Sequence, residues 1–190
     1  MRSRLNYFYD TEFIDTGSLI KFISIGMVCE DGRYYYAVNS EMDAIEVRDD
    51  PWHSQNTWPH LPHPEGRPDL LDYQHPSVKP RAVIRSELQL MLNAGGRRPA
   101  LWAWYDAHDF LVFTQLFGPL HSLPAGIPPN GYDLKQEFDL HRTARMVSRP
   151  PEPENAHHAL ADAYWNLELG YRLGIVERPQ QALEPVEWSR

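Results

Sequence analysis

The order of hydrophobic and polar positions near the N-terminus is typical of β-strands. The stretch Leu5–Phe13 is rich in aromatic residues, and two further strand-like runs follow at Leu19–Cys29 and Arg33–Asn39. The turn-forming sequence Glu30-Asp31-Gly32 joins the last two runs. We therefore predict an antiparallel meander of three strands, with the first strand in the interior of the sheet.

Helical patterns dominate the second half of the chain. They predict helices over Pro80–Asn93, Phe110–Phe117, about 133–144 and His157–Leu173. Before the second of these lies Ala100–Tyr105, a continuous apolar run typical of a strand that is buried on both faces and runs parallel to its neighbours. This order predicts an α/β protein whose mixed sheet is flanked by helices.

Two segments lack such a pattern. Residues 40–80 are rich in Pro, His, Asp and Trp without a sustained period, which predicts a long surface excursion. Four histidines in this segment match no zinc-binding spacing, so we expect no structural metal there. The last residues, 179–190, are expected to form a tail. We predict one domain over residues 1–178, with a loop insertion at about 40–80.

Composition limits the class of protein. The chain has 190 residues, of which 42% are hydrophobic, and this is enough for one sizeable core. The single cysteine, Cys29, allows neither an internal disulfide nor a metal-thiolate site. No apolar signal region opens the chain, and four prolines interrupt the longest charge-free run, 111–132. We therefore expect a cytoplasmic protein that does not associate with a membrane.

The net charge of −8 argues against a non-specific nucleic-acid binder, because affinity for phosphates normally comes from clustered Lys and Arg. It does not argue against an enzyme that uses divalent cations, since bound cations reverse the local field around acidic side chains.

The first strand carries two carboxylates that demand an explanation. Its two-residue period places Asp10 and Glu12 on the same face, roughly 6–7 Å apart along the strand. Burying two unpaired acids would cost several kcal/mol each, about 2–7 for a polar group and more for a charge, so such a pair shares a proton, meets basic groups or binds cations. We favour cations. The plainest alternative is a strand end with two solvated acids.

Two later segments add acids and a histidine. Asp109 follows the apolar strand and opens a helix, at a junction where ligand groups of α/β sheets collect, although helix capping alone would also explain it. His157 and Asp162 lie about 140° apart around a helix axis. They can act together only if His157 lies at the mouth of the helix while Asp162 projects inward from its second turn; a solvated acid beside a terminal histidine is the alternative.

Taken in order, these motifs resemble the DEDDh branch of the 3′-5′ exonucleases, a branch that includes oligoribonuclease, ribonuclease T and compact bacterial exoribonucleases. Asp10 and Glu12 match its first motif, Asp106-x-x-Asp109 resembles its second, and the stretch 157–163 resembles its third, which is the most specific. The family often has Asn at the position of Asp106, so either acid of that motif fits as the ligand, and we choose Asp109. The family's interval between His and Asp favours His157 over His158.

The resemblance implies a ribonuclease-H-like fold and a two-metal-ion mechanism. The expected ligands of two Mg²⁺ or Mn²⁺ ions are Asp10, Glu12, Asp109 and Asp162. His157 is the expected general base, because the reference pKa of an imidazole, about 6.5, lies close to working pH.

The same resemblance implies release of nucleoside 5′-monophosphates from a 3′ end, with single-stranded RNA as the preferred substrate. Expected substrate contacts are Thr11, Phe13, Asp106 and His158, although Phe13 would also fit a core position. Two alternatives stay open, an exodeoxyribonuclease and a catalytically silent ribonuclease-H-like module that binds nucleic acid or protein. The oligomeric state is open as well, a homodimer included.

Overall fold

A six-stranded sheet forms the centre of the computed structural model, which describes residues 4–142 and 146–179. The strands are β1 (Arg4–Asp15), β2 (Ile20–Cys29), β3 (Tyr34–Asn39), β4 (Val78–Lys79), β5 (Arg98–Ala103) and β6 (Tyr132–Asp133). Their order across the sheet is β4-β3-β2-β1-β5-β6. The meander β1-β2-β3 is antiparallel, whereas β4, β5 and β6 run parallel to their neighbours. The predicted mixed sheet is confirmed.

In the described part of the chain, six α-helices surround this sheet. They are α1 (Ala44–Asp49), α2 (His53–Asn56), α3 (Arg81–Ala94), α4 (Asp106–Gln115), α5 (Leu134–His141) and α6 (Ala159–Leu173). The four helices predicted from periodicity are present, with shifted ends. Helix α4 begins at Asp106, earlier than predicted, and α6 begins at Ala159 because His158 is its N-cap in an extended conformation. The predicted end of α5 at residue 144 lies outside the described residues.

The alternation of side chains along β1 divides the core into two layers. Tyr7 and Tyr9 pack in a cluster with residues of α3 and α4, such as Leu88 and Phe113. Phe8, between them, packs in a second cluster with residues of α5 and α6. Because successive side chains point to opposite faces, the residues of β1 beyond Tyr9 are presented alternately to α4 and to α6.

Residues 40–80 are more ordered than their composition predicts. The segment contains α1, α2 and a 3₁₀ turn at Trp58–His60, and it buries Trp58, Leu61 and Leu71 in a third cluster against the sheet. The prediction of a mere surface excursion is therefore wrong for this part. The apolar residues are spaced too irregularly to show a period, yet they cover one end of the sheet.

Among the described residues, no helix is both long and apolar enough to cross a membrane. Most of the predicted tail, residues 180–190, lies outside the described part of the chain, so the domain boundary at residue 178 stays a prediction.

Candidate active site

Strand β1 supplies two acids to the site. Asp10 is half-buried and Glu12 is only 7% exposed. They lie on the face that Phe8 presents to α6, as the two-residue period predicts. A fixed donor holds Glu12, because the Thr57 hydroxyl donates a hydrogen bond of 2.9 Å to its Oε2.

Helix α4 supplies Asp109, which lies in the first turn and is buried. Its Oδ1 accepts two hydrogen bonds from Thr11, one from the backbone N–H at 2.8 Å and one from the hydroxyl at 2.6 Å. The N-cap of this helix is Tyr105, so Asp109 does not serve as the N-cap residue. Thr11 thus ties the acid of α4 to the middle of β1.

The N-terminus of α6 supplies His157 and Asp162. His157 precedes the helix in a left-handed conformation with φ 68°, and its backbone N–H donates to Asp162 Oδ2 at 2.7 Å. The prediction that His157 lies at the mouth of the helix is confirmed. Asp162 lies in the first turn, one turn earlier than predicted, because the helix begins at Ala159.

These groups meet at one cavity of about 1150 Å³. Its lining includes Asp10, Glu12, Asp109, His157 and Asp162, together with the predicted contacts Thr11 and Phe13 and the aromatic residues Trp52, Trp104, Tyr105 and Trp165. Phe13 stacks on His108 with ring centroids 6.0 Å apart. Acidic and aromatic side chains therefore line the same cavity.

Burial raises the pKa of all four carboxyl groups. The pKa of Asp10 lies well above its ordinary value because of burial and because Asp109, Glu12 and Asp162 surround it. Burial also raises the pKa of Glu12, against the hydrogen bond from Thr57. The pKa of Asp109 rises to about 7 and that of Asp162 to about 6, again chiefly through burial. Such a set of acids is stabilised by hard cations.

A divalent metal ion fits the donors that the structure brings together. Ligand atoms of Glu12, His157 and Asp162 all lie within 4.8 Å of one another. Asp10 lies close enough to Glu12, Asp162 and Asp109 that these three like charges raise its pKa. The arrangement is a candidate metal centre built mainly from carboxylate oxygens.

His157 is suited to accept a proton. Burial lowers the pKa of its imidazole below the ordinary value, against the pull of Glu152, so the ring is neutral near pH 7. Trp52 contacts the ring edge-on with centroids 4.8 Å apart. The histidine therefore lies beside the acids with a defined orientation.

Asp106 and His158 lie apart from the cavity lining. Asp106 is buried and accepts a 2.7 Å hydrogen bond from the Tyr9 hydroxyl. The ring of His158 stacks on Tyr36 with centroids 4.4 Å apart. Direct contact of either residue with a substrate is not supported by this geometry, whereas Asp109 and His157 both line the cavity.

Three further residues shape the site without a strong sequence signal. Thr57 and Trp52 come from the segment 40–80, in which no motif marks them. Gly26 pairs with Asp10, and a Cβ at this position would lie 2.3 Å from the backbone of Ala159. A glycine inside a strand is a known sign of close backbone approach, so Gly26 was detectable in principle.

Comparison with known proteins agrees with this geometry. Residues 5–170 match the sequence profile of the Rv2179c-like 3′-5′ exoribonuclease domain. The 3′-5′ exoribonuclease Rv2179c of Mycobacterium tuberculosis H37Rv is 39% identical over 160 residues, covering 84% of this chain and 87% of the relative. The 3′-5′ exoribonuclease MT2234.1 of strain CDC 1551 matches to the same extent.

Solved structures agree at the level of the fold. The zinc-bound Escherichia coli exonuclease I–ssDNA complex superimposes with a TM-score of 0.55 and 14% identity, over 92% of this chain and 41% of that chain. Exonuclease I without ligand gives a TM-score of 0.54 at 12% identity, over 93% and 43%. The chain thus spans less than half the length of these structures.

Proposed function

This chain belongs to the Rv2179c-like 3′-5′ exoribonuclease domain family, and from that premise we propose that it hydrolyses single-stranded RNA from the 3′ end, releasing nucleoside 5′-monophosphates. The activity is that of the curated relatives from Mycobacterium tuberculosis, whose sequence similarity extends over most of both chains.

The convergence of four acids and a histidine at one cavity is the observation that supports a catalytic function. Asp10 and Glu12 on β1, Asp109 on α4 and Asp162 on α6 line one cavity together with His157, although the chain separates them by up to 152 positions. A binding module has no need for buried carboxylates that repel one another, whereas a metal-dependent nuclease does. The arrangement therefore favours catalysis over the silent alternative.

The four carboxylates are the proposed metal ligands. Oxygen donors suit hard cations, so we propose two Mg²⁺ or Mn²⁺ ions. Such ions, when bound, supply Lewis-acid stabilisation of the phosphodiester and an acidified water. The role of the protein's own residues is to hold these ligands in place. Thr11 fixes Asp109 through two hydrogen bonds, and the backbone N–H of His157 fixes Asp162 through one.

His157 is the proposed general base. Its imidazole is neutral near pH 7 because burial lowers its pKa, so a ring nitrogen can take the proton of the attacking water. Its left-handed backbone and the edge contact with Trp52 orient the ring at the cavity.

Aromatic residues at the cavity are the proposed contacts of the nucleobases. Phe13, Trp52 and Tyr105 all line it, and stacking on such rings binds single strands with little sequence preference. The choice of RNA over DNA rests on the relatives, because the described residues present no recognised motif for a 2′-hydroxyl.

A single assay tests the activity. A single-stranded RNA labelled at its 5′ end is incubated with the protein and Mg²⁺, Mn²⁺ or EDTA, beside a DNA of the same sequence. We expect a ladder of shortened RNA with either metal and none with EDTA. The Asp109→Asn variant should be inactive, while Asp139→Asn, which changes an exposed acid of α5, should match the wild type. Faster loss of DNA would support an exodeoxyribonuclease, and no degradation of either strand would favour a binding module.

A further inference from the structure

A chain of two hydrogen bonds reaches Glu12 from the segment 40–80. The Thr57 hydroxyl donates to Glu12 Oε2 at 2.9 Å, and the His53 Nδ1 lies 3.1 Å from the same hydroxyl oxygen. Thr57 is completely buried, and His53 and Glu12 are each 7% exposed. A buried hydroxyl that spans two polar partners is well satisfied and therefore well oriented.

The chemistry of the three groups sets the direction of both hydrogen bonds. A threonine hydroxyl has one hydrogen to donate, and an ionised carboxylate can only accept. With Glu12 ionised, as metal ligation requires, the hydrogen of Thr57 points to Glu12. The hydroxyl oxygen must then accept from His53, so His53 carries its proton on Nδ1 in the neutral ring.

Local structure holds the hydrogen-bonded set of His53, Thr57 and Glu12 in place. Asp50 accepts hydrogen bonds from the backbone N–H groups of Trp52 and His53 at 3.0 and 2.9 Å, and this fixes the start of α2. Directly after Thr57, the buried Trp58 donates from its indole N–H to the carbonyl of Pro68 at 2.8 Å. Thr57 thus lies between two anchored points, so its hydroxyl has little freedom to move.

Glu12 needs such an anchor because its other neighbours repel it. Both Asp162 and Asp109 act on Glu12 as like charges. Glu12 also lies on β1 where the pairing with β2 shifts register between Glu12 and Phe13, so the strand alone fixes its direction less firmly than at regular positions. A fixed donor on Oε2 leaves Oε1 for a cation at the cavity.

We propose that Thr57, oriented by His53, is a positioning residue that holds Glu12 in the geometry of a metal ligand. The inference rests on the proposed metal-dependent function and extends it to the segment 40–80, which thereby forms part of the active site. Groups that orient metal ligands change metal affinity or activity by about 10–100-fold when they are removed.

The test compares substitutions at position 57 by Mn²⁺ binding in calorimetry, without RNA. Thr57→Val keeps the shape but removes the donor, and Thr57→Ser keeps the donor. We expect Thr57→Val to weaken Mn²⁺ binding by about 10–100-fold and Thr57→Ser to stay within about threefold of the wild type. His53→Phe should act in the direction of Thr57→Val with a smaller effect. Ser54→Ala, which removes a half-buried hydroxyl from the same helix, is the matched control.

Activity assays separate a positioning role from a packing role. The Mn²⁺ concentration for half-maximal RNA cleavage should rise with Thr57→Val, while KM for RNA at saturating Mn²⁺ stays within about threefold, because the metal site and not the RNA surface is changed. Unchanged Mn²⁺ binding in Thr57→Val overturns the proposal. Equal loss in Thr57→Ser and Thr57→Val also overturns it, because the hydroxyl would then not be the active feature.

Two outcomes distinguish this proposal from the proposed function. If Thr57→Val binds Mn²⁺ weakly while the wild type degrades no nucleic acid, the positioning role is supported and the nuclease function is rejected. If Thr57→Val binds Mn²⁺ normally while the wild type degrades RNA, the nuclease function is supported and the positioning role is rejected. Should Thr57→Val fail to fold, as judged by circular dichroism, Thr57→Ala is read in the same way, because it places no methyl group beside the carboxylate.

Discussion

Two strained residues stand out at the scale of single positions. Tyr105 and His157 both have left-handed backbones, with φ 60° and 68°, and both line the cavity. This conformation costs residues other than glycine on the order of 1 kcal/mol or more. Tyr105 is the N-cap of α4, four residues before Asp109, and His157 lies directly before the N-cap of α6. The strain thus lies where two helices present groups of the proposed active site.

The strain at Tyr105 leads to a first prediction. Tyr105→Gly should keep or raise the free energy of unfolding, by about 0–1 kcal/mol, because glycine adopts positive φ freely. KM for RNA should rise, since a stacked aromatic ring contributes about 1–3 kcal/mol per base. Tyr105→Ala is the control, because it removes the same ring but keeps the strain. Thermal unfolding and RNA kinetics check both, and a glycine variant less stable than the alanine variant would contradict the prediction.

His157 gives a second prediction at this scale. His157→Ala should slow turnover by about 10²–10⁴-fold, the usual contribution of a general base, while Mn²⁺ binding stays largely intact. His158→Asn should leave turnover unchanged, because Asn is a good N-cap residue and the ring of His158 does not line the cavity. Single-turnover kinetics at saturating metal measures the effect. Normal turnover in His157→Ala would assign proton removal to solvent or to another group.

At the scale of elements, the contact between β2 and α6 sets the width of the site. Gly26 on β2 lies opposite Asp10, and the backbone of Ala159 and Leu160 passes so close that a Cβ would come within 2.3 Å. Only a hydrogen atom fits there. The start of α6, with His157 and Asp162, is thereby brought down onto the face of the sheet that carries the first two acids.

This contact predicts the effect of one added methyl group. Gly26→Ala should lower the free energy of unfolding by about 1–3 kcal/mol and reduce turnover, because the start of α6 must move away from β1. The matched control is Gly170→Ala, where the added Cβ meets the Phe8 ring at 2.4 Å, about three turns further along α6. We expect similar destabilisation but a smaller loss of turnover in the control. Equal losses in both variants would show that stability alone explains the effect.

At the scale of the whole molecule, we predict that the acidic site makes stability depend on pH and on bound metal. The pKa of Asp109 is about 7 and that of Asp162 about 6, both above the ordinary value of 3.8. A carboxyl group whose pKa is raised by folding contributes stability below the ordinary pKa, and this contribution is lost as pH rises through the raised pKa. The metal-free protein should therefore lose stability between about pH 4 and pH 7 through these groups.

A thermal unfolding series with and without Mn²⁺ checks this behaviour. With EDTA, Tm should fall as the pH is raised from 5 to 8. Added Mn²⁺ should raise Tm, and this increase should grow with pH because the ionised acids bind the cation. A concentration of 100 times Kd stabilises by about 2.7 kcal/mol, and this corresponds to roughly 5–10 °C for a chain of this size. In EDTA, Asp10→Asn should raise Tm by a few degrees, since each kcal/mol of stability corresponds to about 2–4 °C. The same variant should reduce the increase in Tm that Mn²⁺ causes. A metal shift that is independent of pH would contradict the prediction.

The sequence by itself determined the first three strands, β5, the four longer helices and the order of the proposed catalytic motifs. The aromatic run Tyr7-Phe8-Tyr9 predicts a buried strand, because strand and helix periods act over only a few residues. The interval from His157 to Asp162 places the histidine at the mouth of a helix only if the two residues act together. Those local rules place Asp10, Glu12, Asp109 and Asp162 on their elements, and the resemblance to the exonuclease family groups them as one set.

Only the tertiary structure decided which distant residues support that set. Thr57 meets Glu12 across 45 positions, and Gly26 meets the backbone of Ala159 across the space between β2 and α6. Neither contact follows from a period or a turn signal, because each depends on how the irregular segment 40–80 and helix α6 pack onto the finished sheet. Long-range packing, in which no residue is marked by its neighbours in the chain, therefore determines how the acids are held.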